Sequence, residues 1–201
     1  MKHRLVILGA GGHGKVCSEV ASLNNYGEII FLDDRHVPGM PVIGTMKDIK
    51  NCVDDSLFFV AIGNNDLRKN YIEEILSLGG SLVNLIHPNS TVSRSAVLAD
   101  GIVVMAGAVI QANASIDRGV IVNTCSSVDH DCTIGKYSHI AVGSHLGGTV
   151  KVGESSFIGA GSSVSNNVTI ADNCIVGVGT AVIHDLDEAG IYVGVPARRV
   201  K

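Results

Sequence analysis

The chain has no tryptophan, and only 4% of its 201 residues are aromatic. A core with so few rings is a narrow one, filled by aliphatic and small side chains. Charge is scarce as well: 17% of residues are charged, against 46% hydrophobic. So few charged groups leave part of the surface uncovered, and that part is expected to face another subunit. The net charge of −4 lacks the basic excess that general nucleic-acid binding needs, although local basic groups can still hold phosphates. No apolar run approaches the roughly 20 residues of a membrane span. After Met1 to Arg4 the apolar run Leu5 to Leu8 stops at glycines, too short for the core of a signal peptide. Cys17, Cys52, Cys125, Cys132 and Cys174 are odd in number and contain no C-x-x-C pair. A disulfide framework is therefore not expected; reduced thiols in a cytoplasmic protein are.

What the chain has instead is a period. From Val92 to Val182 an aliphatic side chain stands at every sixth position without a miss: Val92, Leu98, Val104, Ile110, Ile116, Val122 and so on. Six is three times the strand period and no period of a helix. Four residues after each aliphatic position comes a small or apolar residue, such as Ala108, Ala114, Ser126, Cys132, Ser144 or Cys174. One residue after it comes a glycine at Gly135, Gly147, Gly153, Gly159 and Gly177, which suits a turn between flat sides. This pattern predicts a parallel β-helix of hexapeptide repeats. With three sides to a coil, residues 92–181 make about five coils and a tube about 24 Å long. A sandwich of antiparallel strands is disfavoured, because such unbroken register leaves no room for variable loops.

Residues 1–85 follow other rules. Strands are predicted at Arg4–Leu8, Glu28–Leu32, Leu57–Ile62 and Leu82–Ile86, and helices at Lys15–Leu23 and Asp66–Leu78. Alternating strands and helices make a small parallel α/β sheet. Gly9-x-Gly11-x-x-Gly14 fits a dinucleotide fingerprint, with Asp33 about 20 residues on. Its glycines admit a ligand to the backbone, and the helix start offers N–H groups to an anion. The domain is too short for a full dinucleotide fold, so a single nucleotide or nucleotide-sugar fits better than NAD; a purely structural turn is the rival. Gly11 to His13, Asp33-Asp34 and Gly63 to Asn65 all end strands, and in a parallel sheet such ends share one crevice.

The most polar stretch of the tube is Asn123 to Cys132. Val128 and Cys132 point inward by register, so His130 and Asp131 lie outward between them. A histidine beside a carboxylate is held in one tautomer and made more basic, as a general base requires. Stacking on one side of the tube needs a spacing of 18, and no two of His130, His139 and His145 have it, so no metal site is expected. Cys125 has no base beside it in sequence to make it a nucleophile. The tail, from Gly190 to Lys201, ends in cations that are either solvated or meet phosphates.

The hexad array, followed by Gly194-Val195-Pro196-Ala197-Arg198, resembles the left-handed β-helix acyltransferases, which use acetyl-CoA and work as trimers. Gly9 to Gly14, Phe31-Leu32-Asp33-Asp34, Ala61 to Asn65, Asn84 to Pro88 and Val128 to Cys132 narrow the likeness. Together they resemble the nucleotide-sugar and sialic acid acetyltransferase family, nearest to the bacterial UDP-4-amino-sugar N-acetyltransferases that make diacetylbacillosamine. The resemblance covers essentially the whole chain. It implies a nucleotide-sugar-binding α/β domain at 1–85 and a left-handed β-helix at 86–185. A tail at 186–201 then packs on the β-helix near the CoA site. It implies that Gly11, Gly12, His13, Asp33, Asp34, Gly63 and Asn64 hold a UDP-amino sugar. His139, Gly148, Ala160 and Val178 would touch acetyl-CoA in a groove between subunits of a homotrimer, and Asn123 would line the pocket of His130. His130 would be the base and Asp131, where relatives carry Glu, or Asp129, its orienter. Gly147 or Gly148 would give an oxyanion N–H. No metal is implied. O-acetylation of sialic acid, N-acetylation of a GDP-amino sugar, a non-catalytic nucleotide-sugar-binding trimer and a zinc-dependent tube enzyme of the γ-carbonic anhydrase kind remain open alternatives.

Overall fold

The computed structural model describes residues 4–201. The chain divides into two compact units, Met1–Pro88 and Asn89–Lys201.

In the first unit β1 (Arg4–Leu8) is followed by α1 (Gly12–Leu23), β2 (Glu28–Leu32) and β3 (Val42–Gly44). A 3₁₀ helix (Met46–Asn51), β4 (Ser56–Val60), α2 (Asn65–Ser77) and β5 (Ser81–Leu82) complete the unit's sheet and helices. The sheet order is β3-β2-β1-β4-β5, and every pairing in it is parallel. Leu5 to Leu8 of β1 are fully buried, as a central strand covered on both faces must be. α2 packs through Arg68, Ile72 and Ile75, whose four- and three-residue steps keep one face inward. Strand order reverses beside β1, so the carboxyl ends of β1 and β4 open onto a topological switch point.

Three local expectations change. The helix expected from Lys15 starts at Gly12, with extended Gly11 as its N-cap, so the glycine fingerprint is itself the first turn. The strand expected at Leu82–Ile86 is broken into Ser81–Leu82 and Leu85–Ile86. There the Asn24 side chain both donates to Ile86 O (2.8 Å) and accepts from Ile86 N–H (3.0 Å), replacing a neighbouring strand. Finally, β3 and the 3₁₀ helix have no counterpart in the sequence pattern, since segments this short show no period.

The second unit is the hexad coil. Successive strands go to three parallel sheets in turn, for example Ile121–Val122, Ser127–Val128 and Thr133–Ile134. Partners lie 18 residues apart, as in Val109↔Ser127, Ser115↔Thr133 and Ile121↔His139. Apart from Val92 and Leu98 at the first coil, every aliphatic hexad position is buried. The small column is inward too, and its hydroxyls and thiols satisfy corner carbonyls 15 residues on. Ser138 donates to Gly153 O (2.6 Å), Ser144 to Gly159 O (2.7 Å), Ser162 to Gly177 O (2.8 Å) and Cys132 to Gly147 O (3.1 Å). The tail closes the last coil: Gly190–Val193 runs parallel to Cys174–Val176, and Arg198–Arg199 folds back antiparallel on it.

Candidate active site

The first unit holds a cavity of about 500 Å³ at the switch point, lined in part by Gly11, Gly12, His13, Asp33, Asp34 and Gly63. Its shape depends on two glycines that are not ligands. Gly9 has φ +96°, and a Cβ on Gly14 would stand 2.0 Å from Gly9 O, so only glycine lets α1 start this close to the strand. A Cβ on Gly12, in contrast, meets nothing, and its space is open to a ligand.

The acids differ. Asp33 is buried: one oxygen accepts from Ala10 N–H (2.8 Å), the other from Arg35 N–H (2.9 Å). Burial opposes its charge, but those backbone bonds and the Arg35 guanidinium outweigh it and lower its pKa. It is an ionised clamp with both oxygens in use, which corrects its expected role as a free acceptor for ligand. Asp34 is exposed and keeps capacity, with Oδ1 accepting from Met46 N–H (3.1 Å). Asn64 does not line the cavity; its side chain caps α2 by accepting from Leu67 N–H (2.9 Å).

Burial, aided by the charge of Arg68, lowers the His13 pKa to about 4, so this imidazole is neutral at pH 7. Arg68 is a residue that sequence reasoning misses. It is 1% exposed and donates to Ile62 O (2.8 Å), Gly63 O (3.2 Å) and Asn65 Oδ1 (2.8 Å). Burial lowers its pKa to about 9, which still leaves a cation behind the crevice. Arg35, Met46, Leu67 and Tyr71 also line the cavity. Only the position of Tyr71 one turn after Leu67 on α2 hints that they share a face.

In the second unit, His130 sits on the edge between the sheet of Ser127–Val128 and that of Thr133–Ile134. Its Nδ1 donates to Asp131 Oδ2 (2.8 Å). Asp129 is not the partner of the ring: its Oδ1 accepts the His130 backbone N–H (2.7 Å). The bond to Asp131, then the Asp129 charge, raise the His130 pKa. Nε2 is left without a proton and free to take one. A Cβ on Gly148 would stand 2.5 Å from that Nε2, so the imidazole lies against bare backbone. His130, Gly148, Thr149 and Asn166 line a cavity of about 350 Å³.

Gly147 is not free to donate, because its N–H is bonded to Val164 O (2.9 Å). The Gly148 N–H meets no acceptor among the described residues. A trans peptide points its N–H away from its C=O. Since Gly147 O is held inward by Cys132, the Gly148 N–H faces out.

The remaining expected residues occupy another edge. Ala160 and Val178 follow the 18-residue step from Val142 along the corner before the sheet of Ser127–Val128. Val178 is 79% exposed. Asn123 stands at this corner too, which corrects its expected place in the His130 pocket: within one chain it is on a different edge. Its Oδ1 accepts from Thr124 N–H (2.8 Å), so its Nδ2 donates to His139 Nε2 (3.0 Å). His139 is thereby a buried Nδ1–H tautomer, edge-on to Phe157 at 5.1 Å. No group of three or more His, Cys, Asp or Glu among the described residues is placed to hold a metal.

A left-handed parallel β-helix of hexapeptide coils, with a carboxylate-held histidine on one edge and an α/β unit before it, defines a class: the hexapeptide-repeat acetyltransferases. Residues 4–75 match the PglD N-terminal domain. GDP-perosamine N-acetyltransferase of Escherichia coli O157:H7 is 31% identical over 154 residues, 72% of this chain and 70% of that one. UDP-N-acetylbacillosamine N-acetyltransferase of Bacillus subtilis (strain 168) is 38% identical over 113 residues, 51% of each. The solved acetyltransferase domain of PglB from Neisseria gonorrhoeae FA1090 is 43% identical, with a TM-score of 0.96 over 98% of this chain and 100% of that one. The chain belongs to this PglD-type family of bacillosamine and perosamine N-acetyltransferases, and it is an acetyltransferase.

Proposed function

We propose that this protein acetylates the 4-amino group of a UDP-linked amino-dideoxy sugar, using acetyl-CoA. The observation that carries the reading is the His130–Asp131 pair, with its free Nε2 over the open amide of Gly148. The PglB domain, which is similar over its full length, has been solved in complex with acetyl coenzyme A.

The sugar amine attacks the thioester carbonyl and a C–N bond forms. His130 Nε2 takes the proton from the amine as its nitrogen becomes positive. The carbonyl oxygen becomes an oxyanion, and the Gly148 N–H is the donor aimed at it. The C–S bond then breaks, and the protonated imidazole of His130 returns the proton to the leaving thiolate. Asp131 keeps the imidazole in the Nδ1–H tautomer throughout. Acid and base steps therefore need one residue and no metal.

The crevice of the first unit is the nucleotide end. Amides of the first turn of α1 face the diphosphate, with the Arg68 charge behind them, and Asp34 takes a donor from the base or ribose. The set on the second edge (His139, Ala160, Val178, with Asn123) lines acetyl-CoA when a neighbouring copy in a homotrimer brings that edge to His130. The exposed Val178 and Val142 are the apolar side of that groove. All five cysteines are free, in keeping with a reducing cytoplasm.

A GDP-amino sugar is the second reading, favoured by the longer match to the perosamine enzyme, 70% of its length against 51% for the bacillosamine enzyme. A thiol-release assay with acetyl-CoA and UDP-, GDP- or CMP-linked 4-amino sugars decides. The UDP compound should give the highest kcat/KM. Preference for GDP installs the second reading, and no release with any of them leaves a binding trimer.

A further inference from the structure

Asp131 is held in its turn by the preceding coil. We propose that Asn113 is a positioning residue for the acetyl transfer, fixing one oxygen of Asp131 so that the other stays on the His130 imidazole. The proposal rests on His130 being the base.

Asn113 lies 18 residues before Asp131 and therefore directly beneath it on the same edge. Both occupy left-handed backbone, at φ +60° and +58°. Asn and Asp adopt this conformation most readily after glycine. The shared conformation sends both side chains from the corner in the same direction. Asn113 Nδ2 donates to Asp131 Oδ1 (3.1 Å), while Asp131 Oδ2 accepts from His130 Nδ1 (2.8 Å). Each oxygen thus has one partner, and Asn113 is the partner of Oδ1 among the described residues. The asparagine is itself anchored, since its backbone N–H donates to Ser95 Oγ (3.1 Å) another coil down.

The anchor matters because Asp131 and His130 are both about half exposed. A free carboxylate there rotates and trades the imidazole for water. When that happens the ring protonates at Nε2 as readily as at Nδ1, and an Nε2–H imidazole cannot accept the amine proton. No other group can replace the contact. Asp129 spends Oδ1 on the His130 backbone, and the coil above presents Gly148, Thr149, Asn166 and Asn167, none of which titrates. The charges facing the imidazole are those of Asp131 and Asp129. A short Asp thus serves where relatives use a longer side chain, because the coil beneath holds it in place.

The test is to titrate the His130 ring by NMR in native protein and in Asn113→Gly, which keeps the left-handed backbone but loses the amide, and in Asn113→Asp. Acetyl transfer is followed in parallel. For Asn113→Gly the midpoint should fall by about half a unit toward the ordinary imidazole value as the Asp131 contact weakens. The Nε2–H tautomer should grow, and kcat should drop about three- to tenfold at unchanged KM. For Asn113→Asp, added negative charge should raise the midpoint instead. Asn173→Gly removes a left-handed asparagine from a different edge and should leave the titration unmoved. An unmoved midpoint and tautomer in Asn113→Gly overturn the proposal even if thermal stability falls. The NMR readout does not depend on turnover, so it separates this failure from a failure of the base reading. The latter shows as an unchanged kcat in His130→Ala, and it too overturns a role for Asn113 in the transfer.

Discussion

In the first unit the crevice draws on Gly9–His13, Asp33–Arg35, Met46 and Ala61–Tyr71, segments that only the sheet brings together. In the coil, His130, Asp131, Gly148 and Asn113 are separated by one period or by one period less a residue. The α/β site therefore holds its ligand-facing groups through backbone ends and buried charges, and a neighbour of any residue there cannot be found by counting. The coil site is a column, where counting by 18 finds each neighbour. The coil gains regularity and loses freedom of shape: one edge cannot surround a substrate, whereas the crevice can.

Substitutions in the two units should accordingly split chemistry from binding. The largest effect is expected for His130→Ala, with kcat lower by about 10²–10⁴-fold and KM nearly unchanged. In the native enzyme, kcat/KM should fall on the acid side of a midpoint lying above the ordinary imidazole value, because the base works unprotonated and Asp131 raises its pKa. A tenfold loss or less, or an acid limb unaffected by His130, would mean the edge is not the chemical site. Gly148→Ala comes next. Its methyl would displace a half-exposed imidazole rather than backbone, so the fold should persist while kcat drops by about tenfold or more. Circular dichroism and steady-state kinetics together check this.

Asp34→Ala should act in the opposite sense, raising KM for the nucleotide-sugar roughly tenfold, the worth of one hydrogen bond, with kcat kept. An equal loss in kcat would erase the division of labour between the units. The smallest effect on turnover is expected for Ser162→Ala. It strips the inward bond from Gly177 O and the bond accepted from Thr180 N–H, and should cost about 1–3 kcal/mol in denaturant unfolding. The native kcat should remain in the folded fraction.

Much of this is legible in the residue order. The inward placement of Cys132 and the outward placement of His130 follow from counting alone. Asp131 can be read as a neighbour but not chosen over Asp129, since both adjoin His130 in sequence. The choice comes from the left-handed turn at Asp131, which swings its carboxylate onto the ring, while Asp129 turns back on the backbone. Asn123 shows the reverse: its polar surroundings in the sequence suggest the His130 pocket, yet six residues carry it to another edge. In the α/β unit Asp33 looks like a ligand because it ends a strand, but the Ala10 and Arg35 amides consume it.

The order of residues determined the coil by itself, because a six-residue period repeats one local geometry and each inward side chain meets its own kind 18 residues away. It equally determined that a glycine turn precedes a helix beside β1. Tertiary structure alone decided which acid stays open in the crevice, that a buried Arg68 supplies its charge, and that the Gly148 amide is left unpaired. Those outcomes depend on which distant backbone groups arrive first at a given donor or acceptor, and hydrogen-bond competition of that kind leaves no period in a sequence.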